Sequence, residues 1–338
     1  MRMLTQEQAW FPAKKIGRRA GFVLDSTHSD FDEQAAHFPN VEMTYTQLSG
    51  GKFEGRLFSV DLGKVSIYIE SCNQVIEKEV TLTPNQFALA VLLDDSTQSP
   101  KYGVMRSNEI VHILPPGGES VTIAPSNSVI MFMTIDREAL AENNLLLTDA
   151  SDWLRNLDKQ GEFINSLRFA NRLRSEVALA LEAVEKAKTP ESRAKIAEMI
   201  MFAVATTFTL EWLKPNTPKT FDRTMAYERY RYLRDLLRGR NRTNGKIDGS
   251  ALELGGSKRS IELAFSELVS MGPLTYSRVA RLHNARRKLM DRSRLVKNIG
   301  DIAAEEGFWD WSKFSTYYRR QFGELPSHTR DRLTKLAS

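Results

Sequence analysis

The chain has 338 residues, of which 41% are apolar and 26% are charged. This composition excludes a disordered chain, and no apolar run approaches the roughly 18 residues that a membrane-spanning helix needs. The single cysteine, Cys72, has no partner for a disulfide within the chain, and the first residues lack the basic and apolar regions of a signal peptide, so we expect a cytoplasmic protein.

The formal net charge of +5 is divided unevenly along the chain. Residues 219–338 hold 25 Lys and Arg against 14 Asp and Glu, a net charge of +11. Residues 1–218 hold 22 basic and 28 acidic residues, a net charge of −6. The basic part is therefore the one expected to bind a polyanion.

Residues 38–140 have the pattern of β structure. Short runs rich in β-branched and aromatic residues alternate with turns of Gly, Pro, Asn and Asp, which favours a sandwich or a small open barrel over a parallel sheet. The predicted strands are Gly55–Val60, Lys64–Glu70, Gln86–Leu93, Ile110–Ile113, Val121–Ile123 and Val129–Ile135.

Helical periodicity begins after Ser151. One apolar stripe predicts a first helix, and after a turn at Thr189-Pro190 a second helix is predicted over Ser192–Leu213. The stretch Met199–Leu213 is apolar almost all round, which indicates burial either against another helix or against another subunit. The stripe of the first helix is Phe163, Leu167, Ala170, Val177, Leu181 and Val184.

Prolines within residues 214–219 predict an interdomain linker, and helical patterns follow it to the end of the chain. The predicted helices are Arg223–Arg238, Lys258–Ser270, Thr275–Asp291, Asp301–Glu306, Trp311–Gln321 and Ser327–Leu336.

Two segments of the basic part repeat one pattern. Each has an alanine, Ala251 or Ala303, followed four residues later by a glycine and then by a serine before an amphipathic helix. A small residue suits two helices that cross closely, and glycine readily adopts the positive φ of the turn between them. Ser257 and Ser312 are predicted to cap the second helix of each unit, whose first residues then face the major groove of DNA.

The motifs from residue 281 onward resemble the AraC/XylS family of transcription regulators. They are Arg281-Leu282-x-x-Ala285-Arg286-x-x-Leu289, Ile302-Ala303-x-x-x-Gly307-Phe308, and Phe314-x-x-Tyr317-Tyr318-Arg319-Arg320-x-Phe322-Gly323-Glu324-x-Pro326-Ser327. The resemblance covers about residues 240–333. It implies two helix-turn-helix units that are joined by a rigid helix and read adjacent major-groove segments.

The resemblance also implies which side chains read DNA. Arg319 and Arg320 are expected to contact phosphates. The alternative for Trp309 and Trp311 is that they only pack within the protein. The alternative for Arg259 is that it stabilises its own helix-turn-helix unit instead of contacting a base. Gly256 departs from the family, where an apolar residue is common. The candidates are Ser257, Lys258, Arg259, Glu262, Asp310, Trp311, Ser312, Lys313, Thr316, Arg319 and Arg320.

For the whole chain the resemblance implies an α+β architecture in four parts. Residues 1–145 are expected to form a cupin-like β sensor domain, 150–213 a helical dimerisation region, 214–221 a linker, and 222–338 the double helix-turn-helix domain. Expected partners are double-stranded promoter DNA, RNA polymerase, and a second copy of the chain in a homodimer. The expected function is that of a ligand-responsive transcription activator.

Residues that would support enzymatic chemistry are scattered in the sequence. A metal-dependent cupin enzyme needs a His-x-His pair, whereas His28, His37 and His112 show no such spacing. No nucleophile-and-base arrangement is evident either. We therefore expect neither catalytic activity nor a bound metal, and a cupin-type enzyme attached to a DNA anchor is the less favoured alternative.

A basic cluster and a glycine-rich turn in the acidic part are similar to the cyclic-di-GMP site of PilZ domains. Guanidinium groups bind phosphates, and a Ser-Gly-Gly turn presents backbone N–H donors. The expected effector is cyclic-di-GMP. The alternatives are that the cluster is only a solvated arm, or that a small metabolite binds inside the β domain among Phe, Tyr and Met. The candidate ligand residues are Lys14, Lys15, Arg18, Arg19, Gln47, Ser49, Gly50, Gly51 and Lys52.

Overall fold

A computed structural model describes residues 10–11, 22–93, 109–142, 162–187, 189–212, 225–238, 257–294 and 297–335. Within them, strands occupy the N-terminal half and helices dominate from residue 167 onward, so the predicted α+β class is confirmed. No helix in this part of the chain combines the length and the apolarity that a bilayer crossing requires.

The strands form two antiparallel sheets of unequal size. The larger has the order β1-β3-β4-β9-β6-β7-β10 and the smaller the order β2-β5-β8. The six predicted strands are present, and four were missed. The strands are β1 (Val23–His28), β2 (Glu42–Gln47), β3 (Gly55–Asp61), β4 (Val65–Cys72), β5 (Ile76–Thr81), β6 (Gln86–Leu92), β7 (Ile110–Leu114), β8 (Glu119–Ala124), β9 (Ser128–Asp136) and β10 (Glu162–Asn165).

The central strands of the larger sheet are apolar on both faces. Tyr68 and Phe132 point to a core shared with the smaller sheet, whereas Ile67 and Met131 point to a second core on the opposite side. Side chains alternate between the faces of a strand, so one sheet serves both cores. The β part is therefore a sandwich with a helical layer on its outer face.

The helical layer consists of α3 (Leu167–Lys186) and α4 (Pro190–Trp212), which follow two short helices, α1 (Phe31–Ala36) and α2 (Arg137–Glu142). The prediction that Phe163 lies on the first long helix is wrong, because Phe163 lies in β10 opposite His112. The helix begins only after Ser166, whose side chain accepts from the N–H of Phe169.

The helices of the basic half agree with the predicted positions to within a few residues. The differences lie at the ends, where Pro273 and Pro326 begin helices slightly earlier than predicted. The helices are α5 (Met225–Leu237), α6 (Lys258–Val269), α7 (Pro273–Leu289), α8 (Ile299–Glu305), α9 (Trp311–Phe322) and α10 (Pro326–Lys335).

The two halves share buried cores. Leu282 and Phe314 pack in the same apolar cluster as Tyr45 and Phe132 of the sandwich. Tyr230 and Phe265 pack in another cluster with Val121 of β8. The predicted linker at 214–221 and its prolines lie outside the described residues, so the four predicted domain boundaries stay predictions.

Candidate nucleic-acid interface

The first candidate reading helix, α6, is amphipathic. Ser257 caps it as predicted, since its Oγ accepts from the N–H of Ser260 at 3.2 Å. Ile261 and Phe265 are buried. The opposite side carries the predicted contact residues Lys258, Arg259 and Glu262, all exposed. The predicted Ala251–Gly256 part of this unit lies outside the described residues.

The second candidate reading helix, α9, begins differently from the prediction. Asp310 is its cap and accepts from the N–H of Lys313 at 3.0 Å, so the prediction that Ser312 caps it is wrong. That hydrogen bond lowers the pKa of Asp310. Because the helix starts at Trp311, Ser312 is its second residue, and its carbonyl accepts from the Thr316 hydroxyl at 2.9 Å.

The outward side of α9 carries the remaining predicted contact residues. Trp309 is 85% exposed and Trp311 is 50% exposed, so neither side chain is taken up by the core, although the Trp311 ring touches Phe314. Phe314 and Tyr318 form the buried side. The exposed predicted residues are Asp310, Ser312, Lys313, Thr316, Arg319 and Arg320.

Two arginines of the connecting helix α7, Arg281 and Arg286, contact neighbouring elements of the fold. The Arg281 guanidinium lies 4.9 Å from the centre of the Phe308 ring, in the turn between α8 and α9. That turn needs Gly307, whose φ is +77°, as the sequence predicted. Arg286 is buried and instead contacts the β half. The connector therefore links the second reading unit to the sandwich.

The glycine-rich turn after β2 lies against the last turn of α9. The Gln47 side chain donates to the carbonyl of Gln321, and the Gln321 side chain donates back to the carbonyl of Gln47, each at 2.8 Å. The N–H of Gly51 also donates to the Gln321 carbonyl at 3.1 Å. Gly323, with φ +71°, permits the approach, since a Cβ there would lie 2.8 Å from the Lys52 nitrogen.

These contacts occupy several groups that were predicted to bind a ligand. Gln47 is only 1% exposed, and the Ser49 hydroxyl donates to Gln74 at 2.6 Å. A Cβ at Gly50 would lie 2.8 Å from the Arg320 carbonyl oxygen. The basic partners of this turn, Lys14, Lys15, Arg18 and Arg19, lie outside the described residues.

Helix α1 makes the second contact between the halves. Arg286 pairs with Asp30 and, at 2.6 Å, with Asp32. Burial disfavours the charged Asp30 carboxylate, but the attraction and hydrogen bond of Arg286 outweigh burial and lower the pKa of Asp30. Phe31 packs on Phe322 and on His283.

Buried His283 stands at the centre of this contact. Its Nε2–H donates to the Gln47 carbonyl at 2.9 Å. Burial and the nearby cation of Arg287 lower the pKa of His283 well below its usual value, with smaller contributions from Arg286 and Arg238. The imidazole is therefore neutral at pH 7.

The third contact is centred on Glu77 of β5, which is fully buried. Arg238 and the Tyr230 hydroxyl both contact its carboxylate, and the Tyr276 hydroxyl donates to Oε2 at 3.0 Å. Arg234 pairs at 2.9 Å with the neighbouring Glu79. We call these three contact regions, around Gln47, Asp30 and Glu77, the junction.

The positions of the three histidines of the β half in the sequence suggested that they lie apart, but two of them lie together in the structure. His28 and His37 have ring centres 4.6 Å apart, with Glu33 beside them, so the prediction that they are scattered is wrong for this pair. His112 lies on β7, where its Nε2 is 3.2 Å from the Ser120 hydroxyl. The pair forms because α1 turns back immediately after β1, which ends at His28.

Residues 251–332 match the family described as "Helix-turn-helix domain". The regulatory protein HrpB of Ralstonia nicotianae (strain ATCC BAA-1114 / GMI1000) is 33% identical over 100 residues, 30% of this chain and 20% of that protein. The XylDLEGF operon transcriptional activator of Pseudomonas putida is 38% identical over 73 residues, 22% of this chain and 23% of that protein. The matches thus span about a fifth of each relative.

Two solved structures are also similar in part. The AraC-like transcriptional activator CuxR aligns with a TM-score of 0.39 and 15% identity, covering 78% of this chain and 94% of that chain. ToxT from Vibrio cholerae O395 aligns with a TM-score of 0.28 and 13% identity, covering 88% and 99%. By their names, the two relatives matched in sequence are a regulatory protein and a transcriptional activator. The family match and the two capped helices identify residues 251–332 as a helix-turn-helix domain, and the sequence matches make this region similar to transcription regulators.

Proposed function

We propose that the chain is a transcription activator that reads DNA with α6 and α9 in two successive major-groove segments. The observation that carries this proposal is the polarity of both helices. Each buries an aromatic side, with Phe265 in α6 and Phe314 in α9, and exposes its basic side chains on the other. An exposed, capped helix with basic residues in its first turns suits base edges and phosphates.

The test is DNA binding by the full chain to a duplex selected from a random pool. Several Lys and Arg contacts to phosphate release counterions, so the logarithm of the binding constant falls steeply and linearly with the logarithm of salt concentration. The matched control for the exposed arginines of α9 is Arg168→Ala, which removes an exposed arginine of α3 and is expected to bind DNA like the native chain. Failure to enrich any sequence, together with a salt slope near zero, contradicts the proposal.

We propose cyclic-di-GMP as the effector, bound by the basic cluster Lys14–Arg19 and the 47–52 turn. The support for this proposal is the position of the turn against the last residues of α9. A ligand that competed for the Gly51 N–H would act directly on the end of α9. It would change how the β half and α9 are arranged only if it bound one of their arrangements more tightly than another.

Calorimetry of the full chain with cyclic-di-GMP tests this effector. Arg18→Ala and Arg19→Ala are expected to weaken binding, while Arg168→Ala leaves it unchanged. Unchanged affinity in both cluster variants, or no binding by the native chain, contradicts it.

The second candidate effector is a small metabolite of the β half. The observation that favours it is a cavity of about 380 Å³ between β1 and the turn after α1, lined by apolar and polar groups that include Leu24, Phe38 and Asp61. Its position beside β1 differs from the predicted interior. Titration of a metabolite panel, compared with cyclic-di-GMP, separates the two effectors.

We further propose that α3 and α4 form a homodimer interface. Both helices bury one side against the sandwich, yet Leu179, Met199 and Phe202 are each more than half exposed. Exposed large apolar side chains favour association. Sedimentation equilibrium is expected to give a dimer for the native chain and a weaker dimer for Phe202→Glu, and a concentration-independent monomer contradicts the proposal.

As an activator, the dimer would act in the cytoplasm and contact RNA polymerase.

A further inference from the structure

Three groups that bind transition metals meet beside the first strand. His28 ends β1, Glu33 lies in α1, and His37 follows α1 directly. One ligand-capable atom from each of the three lies within 4.8 Å of the others. Because Glu33 and His37 are four residues apart, one helical turn brings them to the same side.

Both imidazoles are oriented by a partner on their other nitrogen. His37 Nδ1 lies 2.7 Å from the backbone carbonyl of Glu33, and a carbonyl only accepts, so Nδ1 carries the hydrogen and Nε2 presents a lone pair. His28 Nε2 lies 2.8 Å from the Ser26 hydroxyl. Metal-binding histidines usually have such a partner, which fixes the tautomer and the ring.

The nitrogen of His28 that faces the cluster lacks a hydrogen bond. His28 is buried, and among the described residues its Nδ1 has no hydrogen-bond partner. Glu33 Oε1 lies 3.7 Å away, beyond hydrogen-bond distance. An unpaired buried nitrogen is costly, and a metal ion in the cluster would satisfy it.

We propose that His28 Nδ1, the Glu33 carboxylate and His37 Nε2 bind a divalent transition metal of the zinc type. Two imidazoles and one carboxylate suit Zn²⁺, Co²⁺, Ni²⁺ or Cu²⁺ better than Mg²⁺ or Ca²⁺, which prefer oxygen ligands. Glu33 and His37 are exposed, so an ion reaches the cluster from solvent and water fills the remaining coordination. All three ligands lie in the β half, so this proposal does not rest on the proposed DNA binding, although α1 also contacts Arg286.

The test is Co²⁺ titration of the full chain, without a histidine tag and after treatment with a chelator. The expected result is one equivalent of Co²⁺ with a visible absorption band that Zn²⁺ abolishes. Glu33→Gln and His37→Ala change exposed side chains, so the fold is retained, and each is expected to weaken Zn²⁺ binding by at least about tenfold. Ser26→Ala, which removes only an orienting hydroxyl, is expected to weaken it by about tenfold.

The matched control is His328→Ala, because His328 is also exposed but lies on α10. It is expected to bind like the native chain. Three results overturn the proposal: no visible Co²⁺ band, native affinity in both Glu33→Gln and His37→Ala, or an equal loss in His328→Ala. Any of these would leave the cluster as a His–Glu contact alone.

Discussion

The two sides of the helix-turn-helix half contrast sharply. The candidate reading side carries exposed residues such as Lys258, Lys313 and Arg319. The junction side carries buried ones, including Arg234, His283 and Arg286. Arginine thus has two separate tasks here, the proposed binding of phosphate on one side and the neutralisation of buried carboxylates on the other. Overall basic charge predicts the first task and says nothing of the second.

Helix α9 brings both sides together within 12 residues. Its first turns expose the candidate contact residues, and its last residues meet the 47–52 turn through Gln321 and Gly323. A change in the β half can therefore reach this candidate reading helix through direct contacts. Single substitutions on the junction side or on the candidate reading side separate the contributions of the two.

The largest effect is expected from Glu77→Gln. This change removes the negative charge of fully buried Glu77, which leaves the half-buried guanidinium of Arg238 without its full counter-charge, and breaking a buried pair costs about 3–5 kcal/mol. Urea unfolding is expected to show this loss in the free energy of unfolding. Glu54→Gln, at an exposed position, is the control and is expected to unfold like the native chain. A loss below about 1 kcal/mol for Glu77→Gln would contradict the importance of this contact.

A smaller loss is expected from Gly323→Ala. Alanine there meets both an unfavourable φ and the backbone of Lys52. Gly63→Ala is the matched control, because Gly63 has a φ of +84° but nothing within 4 Å of its added Cβ. The difference between the two variants in unfolding free energy isolates the junction contact and is expected to be about 1–3 kcal/mol. Equal losses would mean that the contact contributes nothing.

Stability is expected to fall as pH decreases from 7.5 to 5.5. The pKa of His283 is lowered in the folded chain, so below about pH 6.5 the unfolded chain takes up a proton that the folded chain refuses. One such group changes the free energy of unfolding by at most about 1.4 kcal/mol per pH unit.

His283→Gln retains a donor for the Gln47 carbonyl but does not titrate, so its stability is expected to depend less on pH. His28, whose pKa is also lowered by burial and by His37, accounts for part of the remaining slope. Exposed His328→Gln is the control, and a slope in His283→Gln as steep as in that control contradicts the assignment.

The smallest effect is expected from Arg319→Ala on DNA binding. Loss of one phosphate contact reduces the salt slope by about 0.9 and leaves sequence preference intact. Urea unfolding is expected to be unchanged, since Arg319 is exposed. An unchanged salt slope would place Arg319 outside the interface.

The reading side was more predictable from sequence than the junction. The second helix-turn-helix unit was predicted from its apolar spacing and from Gly307, because both signals reflect contacts between residues that are close in the sequence. The sequence missed β5, since its buried Glu77 looks like a solvated charge until Arg238, 161 residues away, is placed beside it. Gln47 and Gln321 are 274 residues apart, and no local pattern relates them. Ser312 was mistaken for a cap because Asp310 and Ser312 are both capping residues close to the same helix start.

The most direct test of DNA reading by both helices is hydroxyl-radical footprinting of the full chain on its selected duplex. For each bound copy of the chain, two protected segments are expected on one face of the DNA, one helical turn apart, at about 10–10.5 base pairs. Lys258→Ala is expected to weaken one segment and Lys313→Ala the other. A single protected segment, or the loss of the same segment in both variants, would contradict reading by the two helices.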